Sequence, residues 1–190
     1  MNPLTGHLTK VLGPLPDNAH EAAQAAERHE LAKGEALLRA GERWQHLWWV
    51  ERGCLRLYYL DREGQASNKN FHTDGAIFWP ITPALRDQPV HFWVEATEPA
   101  LVWALPWKAW SAAIAEHQAW ITLERRALAH LLEDKMAREH AFLQTTATER
   151  YQNLLTEHPD WAQRVPLRHL ASYLGITDVA LSRIRRRQKG

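Results

Sequence analysis

The last 25 residues, from Pro166 to Gly190, constrain the fold of this chain most strongly. Apolar residues recur there at helical spacing on both sides of Gly175. Those before the glycine are Leu170, Ala171 and Leu174, and those after it are Ile176, Leu181 and Ile184. The pattern predicts two short amphipathic helices that face each other, with Gly175 in the left-handed conformation that ends the first one. Either Thr177 or Asp178 can cap the second helix.

The outward face of the second predicted helix is polar and basic. Its candidate DNA-contacting residues are Thr177, Asp178, Val179, Ser182, Arg183, Arg185, Arg186 and Arg187. Two helices joined in this way form a helix-turn-helix, which lays its second helix in the DNA major groove. From residue 164 onward, seven Lys or Arg residues stand against one Asp, a local charge of +6, whereas the whole chain carries +1. This asymmetry favours double-stranded DNA as a partner over a solvated basic tail on an ordinary helical hairpin.

The bulk sequence restricts the class of protein. The longest apolar-rich stretch, Pro99–Trp107, is far too short to cross a bilayer, and the first residues do not resemble a signal peptide. The single Cys54 excludes an internal disulfide and a cysteine-ligated iron–sulfur cluster. We therefore expect a cytoplasmic protein that does not contact a membrane.

The rest of the chain divides into a β-rich part between two helical parts. We expect an irregular lead-in over residues 1–16 and a helix over 17–31. Short apolar stretches separated by glycines then predict a β-sandwich, barrel or roll. Its clearest strands are 47–50 and 55–60, and a hairpin turn at 61–64 follows the second of them. Residues 92–96 and 101–105 form a second predicted pair, joined by a turn at Glu98-Pro99.

Helical patterns return after Pro106. They predict a short helix over 107–116, a long one from Ala119 to about Thr145, and a further one over 148–158. The apolar stripe of the long helix needs a partner, either the β-body or a second copy of the chain. Lys135 and Glu139 interrupt its heptad pattern, so spacing alone gives only partial support for a dimer.

These segments together resemble the Crp/Fnr superfamily of bacterial transcription regulators. The resemblance spans roughly residues 20–187. Its most specific part is the end of the chain, where the matching segments are Arg164-Val-Pro-Leu, Leu170-Ala-Ser-Tyr-Leu-Gly-Ile-Thr and Leu181-Ser-Arg-Ile-Arg-Arg. Lys33–Glu42, Val50–Gly53, the hairpin at Gly64 and Thr73–Gly75 match the glycine-marked turns of the family's β-roll more loosely.

The resemblance implies an α+β fold in three parts. These are a β-roll sensor domain like a cyclic nucleotide-binding domain over residues 17–117, a dimerisation helix over 118–146, and a helix-turn-helix domain over 147–190. It also implies a homodimer on a pseudo-palindromic DNA site, with half-sites about one helical turn (~34 Å) apart. RNA polymerase is a further candidate partner, and no cofactor is implied.

The chain departs from the family pattern at the cyclic nucleotide cassette. Members that bind cyclic AMP hold its phosphate and ribose with a Gly-Glu-Leu pattern followed by Arg-Ser or Arg-Thr. When Gly75–Ala96 is aligned with that cassette, Pro80 takes the Glu position, Val90 the Arg position and His91 the Ser position. An anionic phosphate would lose its guanidinium partner there, so we expect no ordinary cyclic AMP binding.

Two departures concern DNA. Many members carry a Glu on the recognition helix where this chain has Val179, whereas Ser182 and Arg183 remain. Arg183 is therefore the best candidate for a bidentate contact to guanine, and the target site need not match that of better-known members. Larger members add a β-hairpin wing after this helix, whereas here the basic residues Arg185 to Lys189 must supply much of the phosphate contact.

The β-roll region carries no convincing enzyme motif. Its histidines lack the spacing of a metal site, and the sequence has no nucleophile elbow and no phosphate-binding loop, so we expect no catalytic or metal-binding residues. Six of the ten Trp residues fall in the strand-rich stretch before Pro106. They predict either core and helix-packing surface or an aromatic-lined pocket for an unknown small-molecule effector. The candidate pocket residues are Trp79, Thr82, Val90, His91 and Trp93.

The sequence thus predicts a dimeric DNA-binding transcription regulator with a degenerate cyclic nucleotide-type domain. Three rival hypotheses stay open. The roll senses a non-nucleotide effector, it senses nothing, or the helix-turn-helix contacts protein instead of DNA.

Overall fold

A computed structural model describes residues 2–189, without the side chain of Lys189. The predicted phosphate contact by Lys189 therefore lies outside the described residues. Two helices, α1 (Pro3–Leu12) and α2 (Asp17–Gln24), precede the β-rich part. In chain order its elements are β1 (Glu27–Leu31), β2 (Ala36–Leu38), β3 (His46–Arg52), β4 (Leu55–Leu60), β5 (Ala66–His72), β6 (Ile77–Phe78), α3 (Pro83–Asp87), β7 (Trp93–Ala96) and β8 (Ala100–Pro106). The helices that follow are α4 (Trp107–Ile114), α5 (Gln118–Gln144), α6 (Ala147–Glu157), α7 (Pro159–Arg164), α8 (Leu167–Leu174) and α9 (Asp178–Lys189).

The strands form two antiparallel four-stranded sheets, ordered β1-β8-β3-β6 and β2-β7-β4-β5. Their inner faces enclose one hydrophobic core, in which Trp44 and Trp48 stack at 5.0 Å between ring centroids. A second core lies between the first sheet and the helices α1, α2, α4 and α5, and it contains Trp49, Trp103 and Trp110. The predicted β-roll, long helix and helical end are therefore confirmed as the fold class.

One predicted strand pairing is wrong. β7 and β8 follow each other directly but lie in different sheets, because β7 pairs with β2 and β4 whereas β8 pairs with β1 and β3. The turn at Glu98-Pro99 carries the chain across the roll. Alternate residues of both strands, such as Val94 and Val102, then meet in the same interior from opposite sides. A hairpin would have placed the two strands edge to edge in one sheet.

The beginning of the chain also differs from the prediction. Residues 3–12 form α1, not an irregular segment, because Pro3 occupies the first turn and Asn2 caps it by accepting a hydrogen bond from the Thr5 N–H at 2.8 Å. Leu4, Leu8 and Leu12 bury one face of this helix against the first sheet. The spacing of four residues between these leucines is a sequence pattern that indicates one face of a helix.

The predicted helix over 17–31 is correct only in its first half. It ends at Gln24, and Glu27–Leu31 pairs with β8 as an edge strand. Pairing with β8 overrides the helical propensity of this charged segment, since charged side chains are tolerated on an exposed strand edge. The helices predicted over 107–116, 119–145 and 148–158 are confirmed as α4, α5 and α6. None of the helices within residues 2–189 is both long enough and apolar enough to cross a membrane.

Gly53 provides a test of how β3, β4 and β8 pack. Its φ is +114°, and a Cβ built there would lie 2.5 Å from Ala100 Cβ and 2.6 Å from Ala100 Cα. Gly53→Ala should therefore lower the free energy of unfolding by roughly 2–5 kcal/mol, from steric overlap together with an unfavourable backbone conformation. Urea denaturation measures this loss.

Gly64→Ala is the matched control, because Gly64 has a φ of +80° in open space. It should cost only about 1–2 kcal/mol, the backbone contribution alone. Equal losses for the two variants would show that the approach of Ala100 to Gly53 is unimportant.

Candidate nucleic-acid interface

The end of the chain folds as the predicted helix-turn-helix. α8 and α9 pack through the buried side chains of Leu170, Leu174 and Leu181. Gly175 has a φ of +68°, in the left-handed region, and the Ile176 N–H donates to the Ala171 carbonyl at 3.0 Å. This bond, together with one from the Gly175 N–H to the Ser172 carbonyl at 3.2 Å, satisfies carbonyl groups that the end of α8 would otherwise leave unpaired. The sequence prediction of a glycine turn is confirmed.

Both predicted capping residues act at the start of α9. The Thr177 hydroxyl accepts a hydrogen bond from the Ala180 N–H at 3.2 Å, and the Asp178 carboxylate accepts one from the Val179 N–H at 2.9 Å. These bonds hold the first turn of α9 in place while leaving its outer face open. Thr177 and Asp178 are themselves exposed there.

The structure places four of the remaining candidate DNA-contacting side chains on one side of α9, with Arg185 and Arg187 flanking them. Helical spacing aligns Val179, Ser182, Arg183 and Arg186, and Val179 is 57% exposed although it is apolar. Shallow clefts run along this face. Leu167, Ser182, Arg185 and Arg186 line one, and Arg183, Arg186 and Arg187 line the other. The buried side of the helix carries Leu181 instead.

Not every basic residue of the +6 segment faces outward. Arg164 pairs with Asp74, at 3.0 Å between Nη1 and Oδ2, and with Glu98. Its carboxylate partners belong to the loops of the roll, so this charge attaches the domain instead of meeting a ligand. The four arginines of α9 have no carboxylate within ion-pair distance in the described part of the chain.

A buried ionic cluster attaches α8 to the second sheet. Arg56, the second residue of β4, donates to Glu95 of β7 at 2.9 Å and contacts His169 Nδ1 of α8 at 3.0 Å. The Tyr58 hydroxyl donates to the other oxygen of Glu95 at 2.8 Å. Burial and the hydrogen bond to Glu95 raise the pKa of Tyr58 to about 12, so this hydroxyl stays a donor.

Burial and the charge of Arg56 lower the pKa of His169 to about 4. The imidazole is therefore neutral, and its Nδ1 accepts the hydrogen bond from Arg56. Sequence reasoning missed this cluster, because Arg56 and His169 are 113 residues apart. The one signal was a charged residue inside the otherwise apolar strand Leu55–Leu60.

The five candidate effector-pocket residues do not converge. Trp79 lies in the second core beside Trp120, at 5.1 Å between ring centroids, and Val90 lies in the interior of the roll. His91 is exposed, Thr82 caps α3, and Trp93 stacks on Tyr58 on the outer face of the second sheet. The tryptophans of this region thus serve mainly as core and packing surface.

The roll interior is occupied by the chain's own side chains. His72 stacks on Phe78 at 4.0 Å, and burial together with the charge of Lys69 lowers the pKa of His72 to about 4. The ammonium of Lys69 lies 4.9 Å above the ring of Phe92 and 5.8 Å from that of Tyr59. A cationic ligand would have to displace this ammonium from the aromatic rings.

The cassette positions carry no anion-binding group in the roll. Val90 is 2% exposed among apolar neighbours, where cyclic AMP-binding members place their arginine. The nearby Arg86 turns outward, since it donates to the Pro80 carbonyl at 2.8 Å and pairs with Glu124 of α5 at 3.4 Å. Within residues 2–189, no three His, Cys, Asp or Glu side chains form a group suited to a metal ion.

Comparisons with known proteins agree with this geometry. Residues 28–117 match the family described as the cyclic nucleotide-binding domain, whereas no curated protein sequence matches the chain. FixK2 from Bradyrhizobium japonicum superposes with a TM-score of 0.74 at 23% identity, over 86% of this chain and 84% of FixK2. A transcriptional regulator assigned to the crp/fnr family, from Eubacterium rectale, superposes with a TM-score of 0.69 at 16% identity, over 92% of this chain and 84% of that protein. The chain has the Crp/Fnr fold.

The Crp/Fnr fold extends through the helical end as well as the roll. The c-di-GMP responsive global regulator CLP from Xanthomonas campestris superposes with a TM-score of 0.68 at 13% identity, over 92% of both chains. Such coverage reaches well beyond the roll into the helices that follow it. The resemblance predicted from the sequence is therefore confirmed at the level of the fold.

The cluster around His169 predicts a dependence on pH. Because the pKa of His169 is lower in the folded protein than in the unfolded chain, its contribution to stability is present above about pH 6.5 and is lost as pH falls toward 4. His169→Asn should keep an acceptor for Arg56 without titrating. The melting temperature of the wild type should therefore decline more steeply than that of the variant between pH 7 and 5.

His140→Asn on the exposed side of α5 is the control, and it should follow the wild type. Parallel pH profiles for wild type and His169→Asn would contradict the assignment of a neutral, buried His169.

Proposed function

We propose that the protein is a homodimeric, sequence-specific transcription regulator that binds a pseudo-palindromic DNA site in the cytoplasm. The observation that carries the proposal is the outer face of α9, where Ser182, Arg183 and Arg186 stay accessible while α8 is packed against the roll. A helix presented in this way can enter a major groove without rearranging its own domain. We retain the division into a roll (17–117), a dimerisation helix (118–146) and a DNA-binding domain (147–190) as part of this proposal.

The position of each arginine on α9 suggests its role. Residues near the start of a recognition helix reach base edges, which assigns base contact to Thr177, Val179, Ser182 and Arg183. Arg183 can pair with guanine through two hydrogen bonds. Arg185, Arg186 and Arg187 lie further along, where the helix leaves the groove, and we assign them to phosphates.

Dimerisation is proposed from the apolar stripe of α5. Leu128, Leu132, Met136 and Leu143 are 48%, 58%, 61% and 71% exposed. They follow one another at spacings near helical turns, and a single chain leaves them facing water. A second copy of α5 would bury them and set two α9 helices on one DNA duplex. RNA polymerase stays a predicted partner.

We further propose that DNA binding does not require cyclic AMP. Val90 offers no charge to a cyclic phosphate, and the interior beside it is filled by stacked rings. The Lys69 ammonium already lies against the rings of Phe92 and Tyr59, so a cyclic phosphate would have to draw it away from them or remain unpaired, which is unfavourable. The same filling disfavours an unknown effector inside the roll. The basic face of α9 disfavours a module that contacts only protein, and we do not expect an enzyme.

The test is selection from random duplex DNA with the purified protein, in three arms without ligand, with cyclic AMP and with c-di-GMP. We expect the same inverted repeat in each arm, because the interior of the roll is filled by the chain's own side chains. Enrichment only with cyclic AMP would contradict our interpretation of Val90. Enrichment only with c-di-GMP would show an effector like that named for CLP. The absence of any enriched sequence would contradict DNA readout itself.

Two variants separate base contact from phosphate contact. Arg183→Ala should weaken the selected site by roughly 5- to 150-fold and relax preference at one position of each half-site, since a bidentate base contact is worth ~1–3 kcal/mol. Arg186→Ala should weaken all sequences alike and reduce the dependence of binding on salt. Fluorescence anisotropy over a salt series measures both effects. Uniform weakening by both variants would show that Arg183 does not read a base.

A further inference from the structure

A dimeric regulator of this kind must fix the positions of its two α9 helices relative to the dimer interface. The dimer interface proposed above lies on α5, whereas the residues proposed to contact DNA bases lie on α9. The helices α6, α7 and α8 lie between them in the chain. The spacing of the two half-sites that the dimer accepts depends on how rigidly these helices are connected. Among the described residues, side chains of α5 and α6 connect the long helix directly to the end of α8.

Arg138 of α5 forms the first part of this connection. Its guanidinium donates to the Tyr173 carbonyl of α8 at 2.9 Å, and to the Asn68 and Lys69 carbonyls of β5 at 3.2 and 3.0 Å. It also lies 4.1 Å from the centre of the Tyr173 ring. One side chain therefore joins the long helix, the roll and the helix-turn-helix.

Arg150 of α6 forms the second part. It donates to the Leu174 carbonyl at 3.0 Å and to the Thr145 carbonyl at 2.7 Å. Tyr173 and Leu174 are the last residues of α8, whose terminal carbonyls lack partners within the helix and carry the negative end of its dipole. Two cations from other helices thus cap the end of α8, directly before the turn into α9.

Phe142 of α5 completes the arrangement. Its ring lies 5.2 Å from each of the guanidinium groups of Arg138 and Arg150. A Cβ built on Gly175 would come within 2.6 Å of Phe142 Cε1, so the turn of the helix-turn-helix rests directly on this ring. The glycine is needed both for its backbone conformation and for this close approach.

We propose that Arg138, Phe142 and Arg150 form a clamp that fixes the turn before α9 to the dimerisation helix and thereby sets the spacing of the DNA half-sites. The inference rests on the proposed function. These are positioning residues, since they face the inner side of the helix-turn-helix and leave the outer face of α9 free. Their loss should alter which spacings are accepted and leave the base preference of each half-site unchanged.

The experiment uses the half-site selected by the wild-type protein, placed as inverted repeats with spacers that vary by single base pairs. Each added pair moves a half-site by ~3.4 Å and rotates it by roughly a tenth of a turn, so a rigid dimer accepts a narrow range. Arg138→Lys keeps the charge but cannot reach three carbonyls, and Arg138→Ala removes all the contacts. We expect preference for the best spacer to fall by roughly tenfold, because charge-assisted hydrogen bonds restrict the orientation of α9.

Arg126→Ala is the matched control, since it removes an exposed arginine from the same helix. It should keep the spacing preference of the wild type. An unchanged preference in folded, dimeric Arg138 variants would overturn the clamp. Failure of the wild-type protein to select any repeat would instead show that the proposed function is incorrect, and the clamp's role in spacing would fall with it.

A second measurement does not depend on DNA. Gln188→Cys places a spin label on exposed α9, whereas the native Cys54 is buried and burial raises the pKa of its thiol to about 11, which protects it from the label. Pulsed electron paramagnetic resonance then gives the distance between the two labels of a dimer. The distribution should be narrow with the native clamp and broad with Arg138→Ala. Identical distributions would contradict the proposal even for a variant that no longer binds DNA.

Discussion

The open edge of the second sheet is the constraint on which the arrangement of this protein depends. β5 pairs with β4 on one side, and its other side offers backbone groups that need partners. The Ser172 hydroxyl of α8 donates to the Ala66 carbonyl and accepts from the Asn68 N–H, both at 3.0 Å. Arg138 of α5 donates to the Asn68 and Lys69 carbonyls of the same strand. Closing the edge and positioning the helix-turn-helix are therefore achieved by the same contacts.

This attachment divides the basic residues of the helical end into two groups. Arg164 turns toward the carboxylates of the roll, whereas Arg168 is exposed although its guanidinium lies beside His169. The arginines of α9 point away from the roll. A count of charge along the sequence treats Arg164 and the arginines of α9 alike, but Arg164 is already paired with carboxylates whereas the α9 arginines have none within ion-pair distance in the described part of the chain. Electrostatic attraction to DNA then comes from the helix that we propose reads it.

The sequence predicted the helix-turn-helix well because its signals are local. Gly175, its apolar neighbours and the caps at Thr177 and Asp178 lie within a few residues of one another, so spacing alone specifies the turn. The strands β3 and β4 and the helix α5 were predicted for the same reason. Residues 27–31 were assigned incorrectly because pairing with β8 decides their structure, and that strand lies some 70 positions further along the chain.

By itself, the sequence determined most of the helices after Pro106, the strands β3 and β4, the glycine turn before α9, and that one end is basic. Only the tertiary structure decided that β7 and β8 lie in opposite sheets, that Trp79 and Trp93 face different surroundings, and that Arg138 caps α8. The physical reason is distance along the chain. Local conformation follows from neighbouring residues, whereas a contact such as that between Arg56 and His169, 113 residues apart, exists only after both sheets and the helices have packed together.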